Sequence, residues 1–272
     1  MPRPLEGLNQ LAEPDLRRLL GDYDARLARS DAAVAANATL RSRAEFLADA
    51  AIIRRMSACC RYALQERLDT IPKLLSEAVD CYMTMFSLRN LWKEADLRAQ
   101  NRPVDVSFFS AERMYAAVID SLILGRQSVL DTVATIDHAI YSNVHPPVIG
   151  AYHAAIGALV APDPPTTNRR IGRLLQRPDW QGNLTPVVDR LRPLLEGVLA
   201  LSNNDAAGTA AALERLLATH RRHAQEGSGA RHPATLLCAE GLALAAMARR
   251  AGLPVTVASP YLPLDLIPAE ET

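Results

Sequence analysis

The sequence predicts an all-α fold, an irregular bundle of αα-hairpins packed around a buried C-terminal helix, with residues 1–272 forming one domain. Three observations carry this. Apolar residues recur at three- and four-residue spacing along most of the chain. The breaks between these stretches are short and hold helix-stop and helix-start residues. From Leu236 to Ala248 only Glu240 is charged, and a helix apolar on nearly every side must be buried on nearly every side. That stretch is too short for a bilayer, which takes roughly 20 apolar residues. It is read as the central helix of a core around which the others pack.

The elements follow in order. Residues 1 to 12 read as a loose arm. Glu13-Pro14-Asp15 opens a helix, with Pro in the first turn and acids at its positive end. Leu16, Leu19, Leu20, Tyr23 and Leu27 keep helical spacing, and Asp22 and Asp24 read as a solvated face paired with Arg26 and Arg29. Arg41 to Glu66 is one long helix. Asp69-Thr-Ile-Pro72 breaks the chain and starts another, running to about Trp92, whose Tyr82, Met85 and Phe86 read as core. Val104 to Phe109 is a short apolar run. Ser110 caps a helix that Gly125 interrupts, and a second follows over Val129, Val133 and Ile136. Asp120 falls inside this apolar stretch and is expected in a salt bridge or at an edge.

His145-Pro-Pro147 starts a helix through Ile149, Tyr152, Ile156 and Leu159. Pro162-Asp-Pro-Pro165 is the strongest breaker and marks a sub-boundary near 162–166, read as a tight connection within one domain. A short helix, Asn168 to Leu175, and a loop, Arg177 to Asn183, follow. Thr185-Pro186 opens a helix over Val188, Leu191, Leu195 and Leu199. Asn203-Asn-Asp205 is a turn and cap, and the helix beyond it is read as the cleanest amphipath. Gly252 and Pro254 end the central helix, and Val255 to Pro263 reads as an extended tail.

Composition limits function. The chain is 49% hydrophobic, which supports a packed core. Thirty basic residues balance thirty acidic ones. A chain that holds nucleic acid directly carries a basic excess, because phosphate neutralisation drives binding; a gross acidic mimic carries the opposite. Neither is present. Cys59, Cys60, Cys81 and Cys238 lie in apolar runs with no Cys-x-x-Cys pair, and read as buried reduced thiols in helices. Met1-Pro-Arg-Pro-Leu-Glu-Gly has no apolar stretch of a secretory signal. The expectation is a cytoplasmic protein with no membrane span.

No catalytic, cofactor-binding or metal-ligating residue is assigned. There is no phosphate loop, dinucleotide fingerprint or nucleophile elbow. His220 and His223 lie about one helical turn apart, but without a third ligand they read as part of a solvated basic face. His138, His145, His153 and His232 have no matched Ser, Cys or acid motif.

Gly241-Leu-Ala-Leu-Ala-Ala-Met-Ala-Arg-Arg-Ala-Gly-Leu-Pro-Val255, followed by Ser259-Pro-Tyr-Leu-Pro-Leu-Asp-Leu-Ile267, resembles the end of the Immunity protein 49 family of bacterial polymorphic toxin systems. Leu201-Ser-Asn-Asn-Asp-Ala-Ala-Gly208 fits it too, so the likeness covers about the last third. The resemblance implies a helical cytosolic protein that binds and neutralises a toxin, often a nuclease, encoded beside it. Inhibition would be stoichiometric and non-covalent, and no catalytic residues carry over. Acidic faces at Asp22 and Asp24, or at Glu270 and Glu271, would suit a basic toxin. Two other classes compete: a tetratricopeptide-like adaptor, which predicts regular helix pairs, and a ligand-binding or enzymatic domain, which predicts a pocket with convergent polar groups. Oligomeric state is not readable from the sequence.

Overall fold

The computed structural model describes residues 7–36, 39–99, 110–136, 147–161, 163–177 and 186–268. Among them are ten α-helices: α1 (Glu13–Ala35), α2 (Leu40–Leu64), α3 (Ile71–Ala99), α4 (Ala111–Leu124), α5 (Gln127–Ala134), α6 (Pro147–Leu159), α7 (Pro164–Leu175), α8 (Pro186–Ser202), α9 (Ala206–Gln225) and α10 (Ala239–Arg250). The fold is all-α. Helix lengths run from 8 to 29 residues, so the hairpins do not form equal repeats.

Local chemistry sets many of the ends. Ser110 accepts a hydrogen bond from the Arg113 N–H and starts α4; Gly125, at φ 72°, ends it. Asp205 accepts from the Gly208 N–H and starts α9. At the end of α10, Gly252 adopts φ 73°, its N–H donates to Arg249 and that of Leu253 to Ala248, which satisfies the last carbonyls. Three boundaries differ from the sequence reading. Helix α3 continues to Ala99. Helix α7 begins at Pro164, not Asn168, because Asp163 caps it and the two prolines occupy first-turn positions that need no N–H partner. Its two sides also differ more sharply than those of α9. Helix α10 begins at Ala239: Pro233–Leu236 is a 3-10 turn, and Leu237 and Cys238 are buried in non-helical backbone, with the Cys238 N–H donating to Tyr261. Cys238 therefore stands before a helix, not within one.

One contiguous buried cluster draws side chains from all ten helices. Helices α1 and α3 flank α2, α4 packs on α3 and α6, and α8 pairs with α9. The main neighbours of α10 are α4, α8 and α9, while α1 packs mainly on α2. The core centre is thus shared between α10 and α4, whose residues from Met114 to Ile123 are all buried. Tyr82, Met85 and Phe86 are core residues, as expected. The segment before α1 is no loose arm over residues 7–12: Leu8 is buried, its carbonyl accepts from Tyr261 Oη, and the Gln10 N–H donates to Ala230. The Val104–Phe109 run lies outside the described residues. Among the described residues no helix is long and apolar enough to cross a membrane.

Candidate functional site

Asp120 lies in the middle of α4 and is 1% exposed. An apolar helix presents it to α2, where Arg55 Nε stands 2.7 Å from Oδ2. Burial raises the Asp120 carboxyl, and the Arg55 guanidinium pulls it back. Against its own burial, Arg55 is held above its ordinary range by Asp120. The ion pair ties α2 to α4. Beside it is a cavity of about 40 Å³, lined also by Cys59, Leu237 and Leu242. That is far below the roughly 300–1,000 Å³ of a ligand pocket.

A second polar cluster surrounds the start of α10. Glu240 is buried, and Arg190 of α8 approaches it at 3.8 Å. Burial acts to raise Glu240, but Arg190 above all, with the backbone N–H at the helix start, brings its carboxyl below its ordinary value. His220 is 3% exposed, its Nε2 lies 2.9 Å from the Thr235 carbonyl, and its ring meets Tyr261 edge-on. This corrects the expectation of a solvated basic face: Arg221, Arg222 and the half-buried His223 do lie outward, but His220 turns into the core. Burial lowers its pKa, so the ring is neutral near pH 7. The Tyr115 and Tyr152 rings meet in a tilted contact with centroids 5.0 Å apart, both hydroxyls pushed up by burial, that of Tyr152 to about 12. Among the described residues no group of three His, Cys, Asp or Glu can hold a metal. His138 and His145 lie outside them.

The thiols are shielded. Cys59, Cys60 and Cys238 are buried and Cys81 half-buried, all free, and burial pushes Cys59 and Cys60 up to about 12. Asp22 and Asp24 are exposed, as expected, but their partners are Arg18 and Arg61, not Arg26 and Arg29. Arg61 reaches Asp24 from α2, a tertiary contact that helical spacing within α1 cannot reveal. Arg26 pairs with Asp49, and Arg54 bridges Asp31 and Glu77. These ion pairs neutralise much of the α1–α2–α3 face. Glu270 and Glu271 lie outside the described residues.

One concavity among the described residues has no counterpart among the sequence motifs. An open cleft of about 950 Å³ is bounded by α4, α5, α6, α7, α8 and α10. Leu122, Leu130, Leu159, Val160, Val198 and Met247 form its apolar floor, with Asp131, Asp163 and Arg250 the charged residues along it. Arg250 donates to the carbonyls of Leu122 and Ile123 at the end of α4, and its guanidinium lies over Gly125. No stretch of sequence announces this surface, because each helix contributes only a few residues to it.

The fold and these sites define a helical protein whose buried carboxylates Asp120 and Glu240 are paired inside the bundle and which bears an open, mainly apolar cleft. Immunity protein 49 is the family whose sequence pattern matches residues 66–266, and the chain belongs to that family. The match covers α3 to α10 and so reaches well beyond the last third in which the likeness is visible by eye. No curated protein and no solved structure matches the chain.

Proposed function

We propose that this chain is a single-domain, cytoplasmic bacterial immunity protein that binds a cognate toxin of a polymorphic toxin system and neutralises it by stoichiometric, non-covalent inhibition. The observation that carries the reading is the family match over residues 66–266. Two features support it. The buried Asp120–Arg55 pair adjoins a cavity of about 40 Å³, a size that suits a packing role. The open cleft is apolar, as suits contact with a protein. No catalytic residue, cofactor, metal or direct nucleic-acid contact is part of the proposal.

The test is co-expression of the tagged chain with the product of the neighbouring open reading frame. The pair should elute from gel filtration as one complex, and the chain should restore growth to cells in which the neighbour alone is toxic. A harmless neighbour that forms no complex would sink this reading.

A further inference from the structure

We infer that the cleft between α4–α5, α6–α7, α8 and α10 is the toxin-receiving surface, and that its occupant is one apolar segment of the toxin carrying a basic side chain. The inference rests on the immunity reading and adds a location and a partner chemistry to it.

Placement is the first argument. Every residue that lines the cleft falls between Ser121 and Ala251, within the family match. The one exposed large hydrophobic among the described residues, Ile52 of α2, lies before that match, while the leucines and valines of the cleft floor are buried. A binding surface shared by a family must sit on what the family shares. Shape is the second. At about 950 Å³ the cleft has room for a chain segment, and its floor is aliphatic. Half-buried Met247 adds an unbranched side chain able to adapt to the shape of an occupant. The Ser121 hydroxyl, buried in the lining, has no hydrogen-bond partner among the described residues.

Charge is the third. Arg250 is matched by the carbonyl end of α4, to which it donates two hydrogen bonds. Asp163 is matched by the start of α7, which it caps, and by nearby Arg169 and Arg170; the Thr166 N–H holds its carboxyl below the usual range. Asp131 is left: an exposed carboxylate on α5 whose neighbour Gln127 is neutral and donates one hydrogen bond at 2.8 Å. Among the described residues the cleft thus offers an apolar bed with one uncompensated negative charge, and its complement is apolar with one positive charge.

The experiment measures affinity between the tagged chain and the neighbouring gene product by titration calorimetry, with hydrogen exchange on the complex. Ala134→Arg places bulk and positive charge on an exposed lip of the cleft, and Asp131→Lys reverses its free charge. Both positions are exposed, so both variants should keep the wild-type helical spectrum. Each should weaken binding at least about tenfold, the Asp131→Lys effect growing at low salt. Ile52→Arg should bind as wild type, and amides of α4, α5 and α7 should gain protection in the complex. A wild-type complex that both cleft variants form within twofold overturns this inference and leaves the immunity reading standing. So does a dimer of the chain alone that Ala134→Arg dissociates, since the occupant would then be a second copy. No wild-type complex at all removes both.

Discussion

Gly197 sits where α8 meets α9 and α10. A β-carbon there would be 3.1 Å from Ala212 Cβ and from Leu244 Cδ1, and closer still to Leu244 Cδ2. Ala212 and Leu244 are both fully buried, so neither has free space to turn into. Two effects oppose each other in Gly197→Ala. Alanine favours the helix by about 0.8–1.0 kcal/mol over glycine. Forcing a methyl into a filled core costs about 1–3 kcal/mol. With one contact below any real carbon separation and two more near the limit, the steric term wins and the variant should lose about 1 kcal/mol. Urea unfolding followed by helical circular dichroism measures this as a lower midpoint at unchanged slope. A double-mutant cycle isolates the cause. Leu244→Ala alone should cost about 2–5 kcal/mol. In the Gly197→Ala background it should cost about 1 kcal/mol less, because it removes the methyls that clash. Strict additivity, or a Gly197→Ala variant more stable by its full helix propensity, would refute the reasoning.

Three further outcomes are expected. Asp120→Asn leaves the Arg55 guanidinium buried without a counter-charge and should cost about 3 kcal/mol, whereas replacing both partners, Arg55→Met with Asp120→Leu, should cost less than the single change; unfolding midpoints that rank the other way would contradict this. Stability should fall as pH drops below about 6.5, where unfolded imidazoles take up protons that His220 and His223, lowered by burial, refuse in the folded state. The full contribution is present above that pH, and Glu240, also lowered, extends the loss below about 4.5. His220→Gln should flatten the slope between pH 7 and 5, and an unchanged slope would show that His220 does not drive it. Asp205→Ala removes the cap of α9 and should cost about 1 kcal/mol by the same urea assay, with no loss disproving the role of the cap.

Local chemistry was legible in the sequence wherever a helix end is decided by neighbours in the chain: Ser110, Gly125, Pro186, Asp205 and Gly252 all mark boundaries where expected. It failed where one residue type serves two purposes. The prolines at 164 and 165 read as breakers but form the first turn of α7. Leu236 to Cys238 read as helix because they are apolar, yet apolarity specifies burial and not backbone shape. The burial of His220 is hidden in the sequence because its neighbours there are solvated arginines, while its own environment comes from Thr235 and Tyr261. For Asp120 the sequence allows a salt bridge or an edge position; it is salt-bridged and fully buried, and its partner Arg55, on another helix, is not legible in the sequence. The cleft was invisible for the same reason: six helices each supply a few unremarkable Leu, Val or Asp residues, and only packing brings them together.

The bond from Tyr261 Oη to the Leu8 carbonyl joins positions 253 residues apart. On a ribosome this sets a timetable. At about 5–20 residues per second, Leu8 waits on the order of ten to fifty seconds after it is made before its partner exists. Helices α1 to α10 are all synthesised during that interval, and Leu8 must stay uncovered or find temporary shelter until the last segment arrives. The same bond makes Tyr261 a latch whose closing reports that synthesis has passed α10, so ribosome-stalled chains ending shortly before it should expose the Leu8 segment to protease while full-length chains protect it.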